Sequence, residues 1–492
     1  MKTPSTFLFD LVKSLTKSEK RYLKVRAGDG EKDYLQLMDA IIAQKAFDEE
    51  QLIRDNKGAN FLKHLAVSKK YLYDLLLKSL TQYQQTRLED QIFEKINAAN
   101  VLIEKGLFVA ALRELKKGQK IAQKFEFFEL QILLFGIEKR LLSERQLKNQ
   151  DDPVIHRVFQ GEMESLAQLK NTNEYWHLAQ QIAQFQLRFQ KIQTQEQQQH
   201  LETLTQSPQF QTSSLATNFR SKLYFFQANA TYQFMLGDVA QAYEINRSFL
   251  DLLDENPHFI RLYAERYIAT LNNMLIDSLV IGKYDMLEEG INRLVMIQER
   301  PEFKSIKNIA ARVFRQRYLL LLNWSLRQQD FEKAMQWIPA IEEGLAQFGN
   351  EIEKHHRITF YYLTAYFLFL NRHFDQALQW NNLILNDPRE EVVKEIFYFA
   401  RILNLLIHYE LANHTLLQSL LQSTPKYLKA RRPLYATEKA LFRFLGKVLN
   451  AVDKKEKQQL VEAFKDEIDV RSQSPDEKRV FQYLDLKYWL RR

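Results

Sequence analysis

Cysteine is missing from all 492 residues. Its absence excludes disulfides, thiolate metal sites and cysteine nucleophiles, and it fits a reducing, cytoplasmic compartment. Glycine and proline are scarce, at 13 and 10, too few to punctuate a sheet-rich fold with many turns. So few glycines also leave little from which to build a phosphate cradle. None of the phrases GxxxxGK[ST], GxGxxG, HExxH or GxSxG occurs, so neither an enzyme nor a cofactor is expected. Long apolar runs are lacking too. The most apolar window, ITFYYLTAYFLFL at 358–370, is too short to span a bilayer and is expected to be a buried helix, with no membrane partner. The N-terminal stretch MKTPSTFLFDLVKSLTKSEK is interrupted by Asp10 and offers no small-residue cleavage site, so it is not read as a signal peptide. Nor does one sign of charge dominate. The excess of 69 basic over 61 acidic residues is +8, which favours acidic partners only mildly and does not by itself indicate nucleic acid.

What the chain does contain is a recurring phrase: a polar or glycine pair, an aromatic or branched residue, two further residues, then a small or apolar pair. It reads KGLFVAAL at 105–112, LGDVAQAY at 236–243, IGKYDMLE at 281–288, RQQDFEKAM at 327–335 and NRHFDQAL at 371–378. The aromatic or branched residue serves as a register mark: Phe108, Val239, Tyr284, Phe331 and Phe374. The last four marks are 45, 47 and 43 residues apart. The longer gap after Phe108 predicts degenerate copies near 152 and 196, and LANHTLLQSLL at 411–421 reads as another worn copy. Such periods indicate stacked units, none of which can bury its apolar face alone.

Each part of the phrase has a physical role. Gly237, Gly282, Gln329 and Arg372 are expected to end one helix and turn the chain. The mark should pack back into the hairpin, and Ala242, Ala334 and Ala377 should let two helices approach closely. Pro257, Pro301 and Pro388 lie 18, 17 and 14 residues after their marks, where proline stops a second helix.

These residues resemble the pattern of the tetratricopeptide-repeat proteins, with glycine and an aromatic at the turn, a small residue next, and proline after the second helix. The match is good at 236–257, 281–301 and 371–388. It departs in period, near 44 here against 34 in that family. The resemblance implies an all-α fold, an α-solenoid of antiparallel helix hairpins over roughly 95–450, without strict family geometry. The expected organisation is an N-terminal helical module at 1–90, the repeat array at 91–450 and capping helices at 451–492.

Within the first module, Thr16 and Glu19 form a candidate capping box, Gly28 and Gly30 are expected to end that element, and helices are expected at 31–45 and from about 60 to 85. Leu65-Ala66-Val67-Ser68 ahead of an apolar helix can be read as a helix-turn-helix, with Lys69 and Lys70 opening a recognition helix. An ordinary serine-capped helix is the plainer reading. In the Gln-rich 178–204 segment, Leu178, Ile182, Phe185, Phe189 and Ile192 keep helical spacing, so an amphipathic helix with a glutamine face is expected. The stretch 205–218 reads as a polar loop and flexible joint. The C-terminal VFQYLDLKYWLRR reads as a docked terminal helix.

Three candidate sites follow. Glu174–His177 and Glu353–His356 are Glu-x-x-His phrases of the kind that build metal sites on helices. With 61 acidic residues and 10 histidines, however, chance supplies such matches, and no metal is expected. An array exposes a concave surface lined by the first helix of each pair, which makes Asn229, Tyr232, Asn272, Asn273, Asn323 and Tyr362 candidates for gripping a protein or peptide. The same asparagines could instead satisfy buried backbone. The segment 425–447 sets Lys426, Lys429, Arg431, Arg432, Lys439, Arg443 and Lys447 among Tyr427, Tyr435 and Phe442, either a grip for a phosphate backbone or acidic peptide or a solvated helix face. The expected function is a non-enzymatic scaffold for a protein or peptide partner. The alternative is a regulator whose first module binds nucleic acid while the array senses a partner.

Overall fold

The computed structural model describes residues 5–27, 32–83, 87–143, 152–189, 194–387 and 393–491. These residues form helices and turns without a strand, an all-α, solenoid-like fold. Gly28, Gly30, Ile192 and Pro388 lie outside the described residues. The chain divides into two compact units, one of 1–175 with 216–221, the other of 176–215 with 222–492.

The first unit opens with α1 (Ser5–Ser14), α2 (Lys17–Ala27), α3 (Asp33–Ala43), α4 (Glu49–Asp55) and α5 (Leu65–Tyr83). Leu8, Val12, Leu37, Met38, Phe61 and Leu76 close a core among these helices. The capping box forms: the Thr16 N–H donates to Glu19 Oε2 at 2.7 Å and the Glu19 N–H to Thr16 Oγ1 at 3.2 Å. The helix-turn-helix reading is corrected here. Residues 60–64 are a 3₁₀ turn running directly into α5, so no turn separates two helices at 65–68. Lys69 pairs with Glu49 at 2.7 Å.

Next come α6 (Leu88–Glu104), α7 (Phe108–Lys124), α8 (Phe128–Ser143) and the long α9 (Asp152–Phe189). Glu138, on α8, is buried with Arg157 at 2.5 Å and Gln119 at 2.7 Å. Helix α9 runs 38 residues without a break, so its interior holds no hairpin. Its Leu178, Ile182 and Phe185 are buried, as the spacing predicted. The stretch after it is more ordered than a polar loop. It forms α10 (Gln195–Thr205), α11 (Pro208–Gln211) and a 3₁₀ turn at 213–215, with Phe210 buried.

The array of the second unit follows: α12 (Phe219–Leu236), α13 (Val239–Glu255), α14 (Pro257–Ile260), α15 (Ala264–Ile281), α16 (Tyr284–Met296), α17 (Ile309–Gln328), α18 (Phe331–Met335) and α19 (Ile338–Phe348). It continues through α20 (Lys354–Leu370), α21 (Phe374–Leu385), α22 (Lys394–Glu410), α23 (His414–Lys429), α24 (Ala436–Leu449), α25 (Lys454–Arg471), α26 (Lys478–Tyr483) and α27 (Leu486–Arg491). Helices from α13 onward pack chiefly on their sequence neighbours, as a solenoid requires. Pro257 and Pro301 each open a short helical turn just past a helix end.

Every register mark is the first residue of its helix: Phe108, Val239, Tyr284, Phe331 and Phe374, with His414 continuing the series. Two residues before each mark the backbone is left-handed, at Gly106, Gly237, Gly282, Gln329, Arg372 and Ala412. The residue between donates its N–H back five positions, as in Asp238 to Gln233 O at 3.0 Å and His373 to Leu368 O at 2.9 Å. This is a Schellman turn, which satisfies carbonyls left orphaned at the helix end. The phrase is therefore a helix stop and restart within eight residues. A seventh copy at Glu126–Phe128 falls outside the predicted spacing. Three residues after each of the six marks lies a buried Ala111, Ala242, Leu287, Ala334, Ala377 or Leu417, the close-approach position. The marks themselves behave differently from one another. Phe374 packs back on Phe369 of its own hairpin, while Tyr284 and Phe331 reach forward to Trp324 and Phe367 of the next.

Candidate binding groove

Counting back 12, 8 and 5 positions from a mark selects one face of the helix before it, because spacings of 4 and 3 line up along a helix. On α20 these positions are Tyr362, Tyr366 and Phe369. All three are covered by the chain's own C-terminal segment. The Tyr362 hydroxyl donates to the Tyr483 carbonyl at 2.9 Å, and the Tyr366 hydroxyl accepts from the Asp485 N–H. The Trp489 ring lies 6.5 Å from Phe369 and 5.8 Å from Tyr409, the matching position on α22, and its indole N–H donates to Glu410 at 2.6 Å. Burial pushes the Tyr362 and Tyr366 phenols well above their ordinary pKa. The C-terminal segment is thus docked, as its aromatics suggested.

On α12 the same register face borders a cleft, and on α15 one of its three positions, Ile276, does so, with Asn272 half-buried and Leu279 buried. Gln227, Thr231, Phe234 and Ile276 line a cleft of about 380 Å³ whose wall and floor also include Arg266, Asn273 and Asp277. Phe234 and Ile276 are 46% and 44% exposed, whereas Tyr362 and Phe369 are each 2% exposed. Arg266 is oriented by two contacts. Its guanidinium donates to Gln227 Oε1 and lies 5.7 Å over the Tyr224 ring. Asp277 Oδ2 accepts from Asn246 Nδ2 of α13 at 2.9 Å. Burial pushes the Asp277 carboxyl up from its ordinary value, opposed by that hydrogen bond.

Of the groove residues expected from sequence, Asn273 is exposed and lines the cleft. Asn272 is half-buried beside it. Asn323 donates to Leu319 O within its own helix at 2.7 Å. Three placements are corrected. Asn229 donates to Phe225 O at 3.1 Å and reaches Phe210 O, and Tyr232 packs edge-on to Phe210 at 5.2 Å, so both serve packing of α12 on α11. Tyr362 lies in the core, because the C-terminal segment covers it. Sequence reasoning missed Arg266 and Asp277. The visible signal for Asp277 was a lone carboxylate inside the apolar run Met274–Ile281.

The basic segment divides. Lys426, Lys429, Lys439 and Lys447 are exposed, and Arg443 pairs with Glu467 at 2.8 Å. Arg431 lies 3.7 Å over the Tyr427 ring, which Arg401 also meets at 3.8 Å. Arg432 turns inward, forming a two-pronged pair with the buried Glu438 at 3.0 and 2.5 Å, and does not belong to an exposed patch. Of the two Glu-x-x-His phrases, Glu353–His356 is engaged otherwise. Glu353 pairs with Arg315, and His356 is pushed down to about 4 by burial and by Arg315. Among the described residues no three metal-ligating side chains cluster.

No family model matches the chain, and neither does any curated protein or solved structure.

Proposed function

We propose that this chain is a non-enzymatic, tetratricopeptide-like scaffold of the cytoplasm that binds a linear segment of a protein or peptide on the inner face of its helix hairpins. One observation carries the reading. The register face that grips the chain's own C-terminal segment on α20 recurs on α12, where Gln227, Thr231 and Phe234 line an open cleft together with Ile276 of α15. An array that already holds one segment through backbone-directed hydroxyls and aromatic contacts presents equivalent positions to a second segment. Among the described residues no helix is long and apolar enough to cross a membrane.

Panning a phage-displayed library of linear dodecapeptides on the immobilised full chain tests this. Enriched peptides, synthesised with a fluorophore, should bind in solution and weaken at least tenfold with Ile276→Glu. That exposed substitution should change unfolding free energy by no more than about 0.5 kcal/mol. Peptides that bind Ile276→Glu as well as they bind the unmodified chain would remove the groove from the account.

A further inference from the structure

Four carboxylates among the described residues are buried: Glu138, Asp277, Glu438 and Glu477. Three are compensated. Glu138 has Arg157, Glu438 has Arg432, and Glu477 accepts the backbone N–H groups of Ala436 and Thr437, both at 2.9 Å. Asp277, only 8% exposed, has the single neutral amide of Asn246 and no cation among the described residues. A carboxylate withdrawn from water costs free energy until a cation or several donors replace its hydration. Unlike the other three, Asp277 lines an open cleft, so its counter-charge can arrive from outside. The cleft walls beside it are the exposed Ile276 and Phe234, which suit an apolar stem.

We propose that the cleft between α12 and α15 takes a linear peptide segment carrying a lysine or arginine, whose stem lies along Ile276 and Phe234 and whose cation pairs with Asp277. This rests on the groove reading above and adds the chemistry of the occupant. Lysine and arginine carry a long apolar stem and a charged head, which is the combination the walls and floor present. Arg266 lies eleven positions earlier on α15, roughly 16 Å along the helix axis. That is about five residues of extended peptide. The cleft therefore carries opposite charges at its two ends, and a second basic residue is disfavoured at the Arg266 end.

The test uses the full chain and pools of fluorescein-labelled random decapeptides in which one central position is fixed as lysine, arginine, glutamate or norleucine, read by fluorescence polarisation. Lysine and arginine pools should bind at least tenfold tighter than glutamate or norleucine pools. Asp277→Asn, which keeps an acceptor for Asn246, should erase that preference, and Asp277→Glu should retain it. Equal binding of all pools, or a preference for glutamate, overturns the proposal on the unmodified chain whether or not the variants fold. A lysine preference that survives in folded Asp277→Asn overturns it as well. If the pools bind without regard to Asp277 but lose binding in Ile276→Glu, the groove reading stands and the basic-residue inference falls. If no pool binds, both fall.

Discussion

The register face on α12 and the same face on α20 and α22 occupy equivalent places in their hairpins, yet one borders an open cleft and the other is filled. On the filled stretch the face is Tyr362, Tyr366 and Phe369, continued by Tyr409. Its two tyrosine hydroxyls satisfy the backbone of residues 483–485, and its rings meet Tyr483 and Trp489. On the open stretch the face is Gln227, Thr231 and Phe234, with Ile276, and a charged floor replaces the aromatic one. An aromatic face of that size left in water would be an aggregation hazard, and the chain covers it with its own end. A mixed face tolerates exposure. On the first stretch the face borders an open cleft, and on the second it is an internal packing surface.

Substitutions can break this comparison. The largest effect is expected on the filled stretch. Leu484, buried between the two tyrosine contacts, should cost about 3 kcal/mol when changed to alanine, seen as a lower urea midpoint. A loss under about 1 kcal/mol would mean that the C-terminal segment is an ornament rather than part of the core. A smaller effect is expected at Glu477. Its carboxylate caps the start of α24 through two backbone N–H groups. Burial opposes its ionisation, but the hydrogen bonds from Thr437 and Ala436 and the nearby Arg471 charge outweigh it and hold the pKa below the ordinary value. A depressed acid stabilises the fold above its unfolded pKa and loses that contribution as pH falls through its folded pKa. Glu477→Gln should therefore cost about 1 kcal/mol at pH 7, and urea titrations should show the gap to the unmodified chain closing as pH falls below the ordinary glutamate range. The smallest effect is expected on the open stretch. Because burial raises the Asp277 carboxyl, its ionised form costs stability, and that cost is relieved as pH falls through the raised folded pKa. Asp277→Asn should leave the thermal midpoint at pH 7 unchanged or slightly higher. It should also remove the rise in stability that the unmodified chain shows just above the ordinary aspartate range. A marked drop in midpoint at pH 7 would make Asp277 a structural residue.

The sequence by itself determined the local events. The helix stops at Gly237, Gly282, Gln329 and Arg372 and the restarts two residues later are each set by a Schellman turn whose donors and acceptors lie within eight residues. The capping box at Thr16 and the apolar stripe Leu178, Ile182 and Phe185 are local in the same way and were legible for the same reason. The tertiary structure decided what the faces meet. Tyr362 looked like a groove residue until Tyr483, 121 positions later in the chain, covered it. Asn229 and Tyr232 looked like neighbours of Asn273 until Phe210 claimed them. Arg432 looked exposed until Glu438 drew it inward. Asp277 was visible as a lone acid in an apolar run, but only its packing against Asn246, with no cation beside it among the described residues, sets it apart from the other buried carboxylates. Hydrogen bonding along a helix is settled by near neighbours, whereas burial depends on which distant residue arrives.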